Sequence, residues 1–299
     1  MRHARQAKAP AIPLLWCGKG LSRQDHCPRA PPLPDIIPIT DPDDPRIAAY
    51  RAVKERDLVG REGLFIAEGE VVVRVLARTP RHQMLSLLLA ERQVARLSDL
   101  LADLPDELPV YQATQAVMDQ IVGFPIHRGI LGLGRRSGLT DGAVLLAGLR
   151  PGALVVGLSG LSNHDNVGGI FRNAAAFGVD AVVLDSDCCD PLYRKAIRVS
   201  VGGGLLVPFV QLAPGVDMVE LFAAQGFETL SLSPSGQVEL ADCLRPKRCA
   251  VLFGAEGPGL SASVLARTRT VRLTMAGGFD SLNVATTSGI VLHHLTRKA

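Results

Sequence analysis

The chain has 299 residues, of which 47% are hydrophobic, so it can bury a sizeable core, and its length predicts about two domains. No apolar run approaches the roughly 18 residues of a membrane-spanning helix, and the sequence therefore predicts a soluble protein without a membrane partner. The net charge of +3 neither requires nor excludes a polyanionic partner, so binding to nucleic acid would depend on local basic patches.

Residues 1–35 are predicted to form a disordered, basic and proline-rich tail. The first 30 residues contain six Lys or Arg against one Asp, and six prolines before residue 35 interrupt any long helix. Cys17, His26 and Cys27 lack a fourth ligand at a suitable spacing, so no metal site is predicted. The six cysteines of the chain show no disulfide framework, which favours a reducing, cytoplasmic location.

Strands and helices alternate between residues 36 and 136, as expected for a small three-layer α/β domain. Asp44 and Pro45 mark the start of its first helix, as a cap followed by a proline in the first turn. The predicted elements are a helix at 46–56, a strand at 63–67, a helix at 68–77, a strand at 83–89, a helix at 91–101, a strand at 108–111, a helix at 115–121 and a strand at 129–133. Residues 137–151, which contain three glycines and end in a proline, predict a linker with room for one helical turn.

The chain alternates again from residue 152 to residue 299. The predicted strands are 153–158, 181–184, 207–209, 229–232, 249–253 and 270–273. The predicted helices are 167–177, 191–201, 216–225, 262–268 and 283–296. This pattern predicts a parallel sheet with helices on both faces, whose ligands bind at the carboxyl ends of the strands.

Two loops at such strand ends are chemically unusual. The first follows the strand at 153–158 and carries Asn166 and Arg172 where a polar turn passes into a helix. The second, Gly254–Ser261, holds three glycines around a single acidic residue, Glu256. Glycines at strand ends permit positive φ and a close approach of the backbone to a ligand, so both loops are candidate ligand sites.

A third loop covers Leu273–Gly278 and continues through Ser281 and Asn283 into the last helix. Simple helix capping is an alternative role for Ser281 and Asn283, because Ser and Asn are common caps. The glycine spacings of the chain match neither a dinucleotide-binding fingerprint nor a P-loop. The three loops therefore predict a ligand site of another kind.

Together the three loops resemble the SpoU (TrmH-like) class of RNA 2′-O-ribose methyltransferases in the SPOUT superfamily. The motifs that carry the resemblance are, in order, Asn166–Gly178, Leu252–Ser261 and Ser281–Ile290. Residues 36–136 are similar to the L30e-like substrate-binding domain of that family. His164 and Asp165 stand where many members have Asp-Pro, and Ala255 stands where many have Asn, but no residue that is expected to do chemistry is missing.

The resemblance implies an α/β fold in which residues 152–299 form a SpoU methyltransferase domain with a deep trefoil knot. It implies S-adenosyl-L-methionine as the cofactor, bound in the knot. By position, the residues that would contact the cofactor are Gly254, Leu273, Met275 and Leu282. The resemblance also implies a homodimer in which each active site is completed across the subunit interface.

Five residues are implied to act in catalysis, namely Arg172, Asn166, Glu256, Ser281 and Asn283. A ribose 2′-hydroxyl has to lose its proton as it attacks a methyl group on sulfur. Because an arginine stays protonated, we expect Arg172 to clamp the target phosphate or stabilise the developing alkoxide rather than act as a literal base. Asn166 and Asn283 would orient the ribose or Arg172. Ser281 would bind the substrate or relay a proton, and Glu256 would hold Arg172 or the third loop.

RNA is the implied partner, and the N-terminal domain would select it. The residues expected to contact its phosphates are Arg46, Arg51, Lys54 and Arg56, although a solvated helix face is an equal alternative for each. The two-domain layout favours 23S ribosomal RNA over transfer RNA. Two further alternatives are a non-catalytic RNA-binding or assembly factor with the same fold and an enzyme that methylates a base nitrogen.

Overall fold

The structure is a computed structural model that describes residues 35–51, 63–123, 125–138 and 141–297. The predicted tail lies outside the described residues except for Asp35, and Lys54 and Arg56 lie outside them too. None of the described helices has both the length and the apolar character needed to cross a membrane. The described residues form two β-sheets with intervening helices.

The first sheet has five strands. They are β1 (Ile36–Ile39), β2 (Leu64–Glu68), β3 (His82–Ala90), β4 (Val110–Ala113) and β5 (Ile130–Arg136). Their order is β1-β4-β3-β5-β2, and β5 is antiparallel to both of its neighbours. The sequence did not predict β1, which lies at the edge of the sheet, where Pro38 interrupts no inner ladder of hydrogen bonds.

Helices connect these strands. They are α1 (Glu70–Arg78), α2 (Glu91–Val94), α3 (Ser98–Ala102) and α4 (Gln115–Val122). The single helix predicted at 91–101 is wrong, because a 3-10 turn separates α2 from α3. The described part of the helix predicted at 46–56 is a 3-10 helix, Pro45–Tyr50. Its buried residues, Ile47 and Tyr50, are three apart, which is the period of a 3-10 helix.

The second sheet has seven strands, all parallel, as the sequence predicted. They are β6 (Leu154–Leu158), β7 (Ala181–Leu184), β8 (Phe209–Gln211), β9 (Glu228–Leu232), β10 (Val238–Glu239), β11 (Cys249–Phe253) and β12 (Arg269–Arg272). Their order is β10-β12-β9-β11-β6-β7-β8. Every residue of β6 and β11 is buried, as expected for central parallel strands that are covered on both faces.

Seven helices accompany this sheet. They are α5 (Gly142–Ala147), α6 (His164–Ala176), α7 (Arg194–Val199), α8 (Gly203–Leu206), α9 (Met218–Ala224), α10 (Ala262–Ala266) and α11 (Val284–Thr296). The helix predicted at 191–201 is present as the shorter α7, and the chain turns at Gly202, with φ of 84°, before α8 begins. The predicted linker contains α5, which Asp141 caps and which buries Leu146. The division of the chain into domains at residues 136 and 152 stays a prediction.

The two halves of the chain share a hydrophobic cluster. Leu76 of α1 belongs to the same cluster as Ile197 of α7 and Leu205 of α8. The buried carboxylate of Glu68, at the end of β2, lies 3.6 Å from the guanidinium of Arg198 in α7. Apolar packing and ion pairing therefore hold the first sheet against the helices that follow β7.

Candidate active site

Two of the three unusual loops leave the second sheet side by side. The first loop follows β6 and the second follows β11, and these strands are parallel neighbours with Leu158 opposite Phe253. The backbone N–H of Ser159 donates a hydrogen bond to the carbonyl of Phe253 at 3.0 Å, which extends the pairing beyond the strand ends. Because the strands run in the same direction, both loops lie at the carboxyl edge of the sheet, where ligands of α/β proteins bind.

The second loop folds back on itself so tightly that it requires glycine. A β-carbon added to Gly254 would lie 2.4 Å from the carbonyl carbon of Gly259, closer than any real contact. Gly257 and Gly259 have φ values of 83° and 68°, a region that side-chain-bearing residues rarely adopt. The tight fold of the second loop therefore depends on glycine at all three of these positions.

The third loop begins after β12 and is anchored by a carboxylate. Glu239 accepts hydrogen bonds from the hydroxyl of Thr274 and from Nε of Arg272, both at 2.6 Å. These bonds lower the pKa of the Glu239 carboxyl, the bond from Thr274 most strongly. The loop is therefore fixed at its start before it runs toward α11.

A cavity of about 520 Å³ lies between the second and third loops. It is lined by all four residues predicted to contact the cofactor, and these are Gly254, Leu273, Met275 and Leu282. Glu256, Ser281 and Asn283 line the same cavity. Such a volume falls in the range of small-molecule sites, and its mixture of apolar side chains with polar groups is typical of them.

Hydrogen bonds join one side chain from each of the three loops. The amide of Asn166 donates to the carboxylate of Glu256, and the amide of Asn283 donates to the side-chain oxygen of Asn166 at 2.8 Å. The oxygen of Asn283 accepts from the backbone N–H groups of Ala285 and Thr286, so Asn283 also caps α11. Asn166 is only 4% exposed, and its position is therefore fixed by partners on both sides. We call this chain of contacts the Glu256–Asn166–Asn283 network.

Arg172 lies apart from that cavity. Its side chain is exposed on α6 and lines a shallow depression of about 440 Å³ together with residues of α11 such as Ala285 and Ile290. Within the described chain, the Arg172 guanidinium has neither a hydrogen bond nor an ion pair, and Glu256 contacts Asn166 instead. The structure thus brings together four of the five predicted catalytic residues and places Arg172 on the neighbouring surface.

A further contact, which the sequence did not indicate, packs α6 against α11. The amide of Asn173 donates to the carbonyl of Ala285 at 2.7 Å and to the hydroxyl of Ser288 at 2.9 Å. A β-carbon on Gly169 would lie 2.7 Å from that of Ala285, so only glycine permits this close crossing. One pattern in the sequence could have indicated this contact. Small or polar residues lie four positions apart on both helices, at 169 and 173 and at 285 and 289.

The residues predicted to contact RNA phosphates already have acidic partners where the structure describes them. Arg46 binds Asp44 at 2.6 Å, and the hydrogen bond from Arg46 lowers the pKa of Asp44 to about 2. A nitrogen of Arg51 lies 3.3 Å from Asp43. These pairings leave less positive charge for RNA on this part of the chain, and Lys54 and Arg56 lie outside the described residues.

Residues 153–293 match the model of the SpoU rRNA Methylase family. A protein of Mycobacterium tuberculosis (strain ATCC 25618 / H37Rv), named as an uncharacterized tRNA/rRNA methyltransferase, is 39% identical over 92% of this chain and 96% of its own length. A protein of Vibrio parahaemolyticus named 23S rRNA (guanosine-2′-O-)-methyltransferase RlmB is 27% identical over 78% of this chain and 96% of its own length.

Solved structures share the fold. The AdoMet-bound rRNA methyltransferase of Sinorhizobium meliloti has a TM-score of 0.72 at 22% identity, covering 87% of this chain and 97% of that one. The SpoU methyltransferase AviRb of Streptomyces viridochromogenes, in complex with the cofactor AdoMet, has a TM-score of 0.70 at 20% identity, covering 85% and 98%. These neighbours confirm the α/β fold class that the sequence predicted.

Proposed function

Because the chain belongs to the SpoU rRNA methylase family, we propose that it is an S-adenosylmethionine-dependent RNA 2′-O-ribose methyltransferase. The observation that carries the proposal is the Glu256–Asn166–Asn283 network, which unites the three loops beside a ligand-sized cavity. A purely structural set of loops would not require a buried asparagine with charged and polar partners from two distant segments.

The cavity fits the proposed cofactor. Leu273, Met275 and Leu282 supply apolar surface for an adenine ring, and Gly254 lines the same cavity, where its backbone would bond to a polar edge of the ring. Ser281 and Asn283 line the same cavity and would bind the ribose or the amino acid portion. When bound, S-adenosylmethionine would supply an electrophilic methyl group on sulfur.

The side chains of the network would act by positioning. Asn166, held between Glu256 and Asn283, presents a fixed amide at the mouth of the first loop, where it would orient the attacking 2′-hydroxyl. Arg172 would bind the adjacent phosphate or stabilise the developing alkoxide, because a guanidinium offers several donors and stays charged. Ser281, which is exposed, would hydrogen-bond the substrate or relay the proton of the 2′-hydroxyl, taking it up at Oγ as its own hydroxyl proton passes to solvent.

We also propose a homodimer, with a deep knot in each protomer. The face formed by α6 and α11 carries Arg172 and the exposed Ile290, of which 41% is accessible. Arg172 does not line the cavity of its own chain, so a second copy that covers this face would bring Arg172 of one protomer toward the cavity of the other.

Ribosomal RNA, and 23S RNA in particular, is the substrate that we favour over transfer RNA. The support is the similarity to the Vibrio parahaemolyticus protein, whose name states a 23S rRNA guanosine 2′-O activity and almost all of which the chain covers. We expect the reaction in the cytoplasm, where ribosomal RNA of bacteria is modified.

The test is methyl transfer to unmodified RNA. The purified protein is incubated with labelled S-adenosylmethionine and either 23S or transfer RNA, and the product is digested with nuclease. We expect label in nuclease-resistant dinucleotides from 23S RNA, because a 2′-O-methyl group blocks cleavage. Label on a base nitrogen would contradict the ribose assignment. No calorimetric binding of S-adenosylmethionine would instead favour the non-catalytic alternative, and mapping 2′-O-methyl sites in cells that lack the gene would identify the nucleotide.

A further inference from the structure

A second cavity, of about 420 Å³, lies where the two sheets meet, away from the three loops. It is formed by the start of β3, the end of β5 and the strand β8. Its lining residues are the tripeptides 80–82, 136–138 and 209–211. We call it the junction pocket.

Three basic residues line the junction pocket, and strand register brings two of them together. His82 of β3 lies directly opposite Arg136 of β5 in the antiparallel pair, so their side chains project from the same face of the sheet. Arg81 precedes His82, and its carbonyl accepts a hydrogen bond from the hydroxyl of Ser137. None of the described residues that line the pocket is acidic.

His82 is buried without a hydrogen-bond partner. It is only 7% exposed, and neither ring nitrogen has a partner within the described part of the chain. The ring of Phe65 packs edge-on against it at 5.3 Å and offers no acceptor. Because buried polar groups are almost always paired in folded proteins, the two ring nitrogens at the pocket wall are suited to pair with a ligand that enters the pocket.

The two arginines are held but incompletely satisfied. Arg136 pairs with Asp190 and lies 5.6 Å from the centre of the Phe209 ring, which fixes the plane of its guanidinium. Nε of Arg136 and Nε of Arg81 are buried without partners, and Arg81 makes no ion pair with any described residue. Burial lowers the pKa of Arg81, and burial together with the two neighbouring charges lowers the pKa of His82 to about 4. The pocket therefore combines the unmatched charge of Arg81 with unsatisfied donors on both arginines.

We propose that the junction pocket binds a phosphate group, with Arg81 and Arg136 as its cationic contacts and His82 as a hydrogen-bond donor. Guanidinium groups match the geometry of phosphate oxygens, and a phosphate would neutralise the charge that opposes protonation of His82. The phosphate belongs either to the RNA backbone or to a free phosphate ester. If the phosphate belongs to RNA, this inference rests on the proposed function. If it belongs to a free ester, the inference is independent of that function.

The test uses inorganic phosphate and ribose 5-phosphate against the full chain, with chloride at matched ionic strength. In the wild-type protein, we expect the ring signals of His82, assigned by their absence in H82Q, to shift in NMR spectra as phosphate is added at constant pH. The matched variants are Arg81→Gln in the pocket and Arg78→Gln, an exposed arginine at the end of α1. We expect R81Q to weaken phosphate binding at least tenfold and R78Q to leave it unchanged.

The two sources are distinguished with an RNA hairpin titrated at several salt concentrations. If RNA supplies the phosphate, R81Q weakens RNA binding and reduces the salt slope by about 1, and ribose 5-phosphate binds no better than inorganic phosphate. If a free ester is the ligand, ribose 5-phosphate binds more tightly and RNA binding is unaffected. A His82 spectrum that phosphate leaves unchanged, or equal phosphate affinity in R81Q and R78Q, overturns the proposal. The NMR titration of the wild-type protein tests the proposal even if R81Q does not fold.

Discussion

Asn166 is the residue on which the proposed active site most depends, because it is the only described side chain hydrogen-bonded to both Glu256 and Asn283. Replacing it with alanine leaves a carboxylate and an amide without their partner and lets the first loop move relative to α11. We expect kcat/KM for methyl transfer to fall about 10- to 100-fold in Asn166→Ala, which corresponds to the loss of one or two hydrogen bonds at a buried site.

The matched control is Asn163→Ala. Asn163 caps the same helix by accepting from the N–H of Asp165 but does not join the network. Loss of this cap in Asn163→Ala is expected to lower the free energy of unfolding by about 1 kcal/mol and to leave kcat/KM within about threefold of the wild-type value. Equal activity losses in both variants would mean that a general loosening of α6, and not the network, causes the effect.

The lowered pKa of His82 predicts that the protein loses stability in acid. Its pKa is about 4 in the folded chain, below its ordinary value of 6.5, so between these values the unfolded chain binds a proton that the folded chain does not. The contribution of neutral His82 to the free energy of unfolding is therefore fully present above pH 6.5 and is lost as the pH falls toward 4. Because the pocket admits solvent, we expect the loss to be on the order of 1–2 kcal/mol in the free energy of unfolding.

Chemical denaturation at pH 7 and pH 4.5 measures this loss. His82→Gln, which cannot take up a proton, is expected to show a smaller decrease between the two pH values than the wild-type protein. His127→Gln, at an exposed position, is expected to follow the wild-type decrease. If H82Q loses as much stability as H127Q, the acid sensitivity has another origin.

The second loop allows a prediction at the scale of an element. In Gly254→Ala the added methyl group meets backbone atoms of Gly259 and Leu260 at about 2.5 Å or less, and backbone cannot move aside as a side chain can. We expect the loop to open, with at least a tenfold loss of affinity for S-adenosylmethionine by calorimetry and about 1–3 kcal/mol of stability. Gly138→Ala is the control, because a β-carbon there has no neighbour within 4 Å. Unchanged affinity in G254A would exclude this loop from the cofactor site.

Elements with a strong local signal were predictable. The buried strands β7 and β11 have the predicted bounds, and Thr114 caps α4 as its sequence position indicates, with Oγ1 accepting from the N–H of Val117 at 3.3 Å. The strands that the sequence did not predict, β1 and β10, are short edge strands whose pairing depends on a distant neighbour. Local propensity carries little information about such segments.

The sequence predicted the individual residues of the site but not the contacts between them. Asn166 and Glu256 are 90 residues apart, and Asn166 and Asn283 are 117 apart, so no spacing in the sequence shows that they share hydrogen bonds. Family resemblance identified the residues, whereas the partnership of Glu256 with Asn166 came from the fold. The junction pocket had no motif at all, because it arises from strand register and from packing between the two halves.

At the scale of the whole molecule, the separation of Arg172 from the cavity predicts that activity requires two chains. The residues beside Arg172 on the α6–α11 face are mostly small or apolar, such as Gly169, Ala285 and Ile290, with Asn173 and Thr286 as polar exceptions. An exposed arginine on a surface of this composition is typical of a protein–protein interface. Replacing Ile290 with Asp would place a charge in that interface. We expect I290D to be monomeric by light scattering and inactive in methyl transfer, whereas it would keep its far-UV circular dichroism.

Co-expression of two impaired variants then tests whether Arg172 serves the partner's cavity. If it does, a mixed dimer of Arg172→Ala and Asn166→Ala has one site with both defects and one site with neither. Random pairing makes half of the dimers mixed, so the co-expressed sample should recover about a quarter of the wild-type rate. If Arg172 serves its own chain, every site carries one defect and no activity returns.

The converse control pairs the double variant, which carries both substitutions in one chain, with the wild-type chain. Its mixed dimers are inactive if Arg172 acts across the interface and half-active if it acts within one chain.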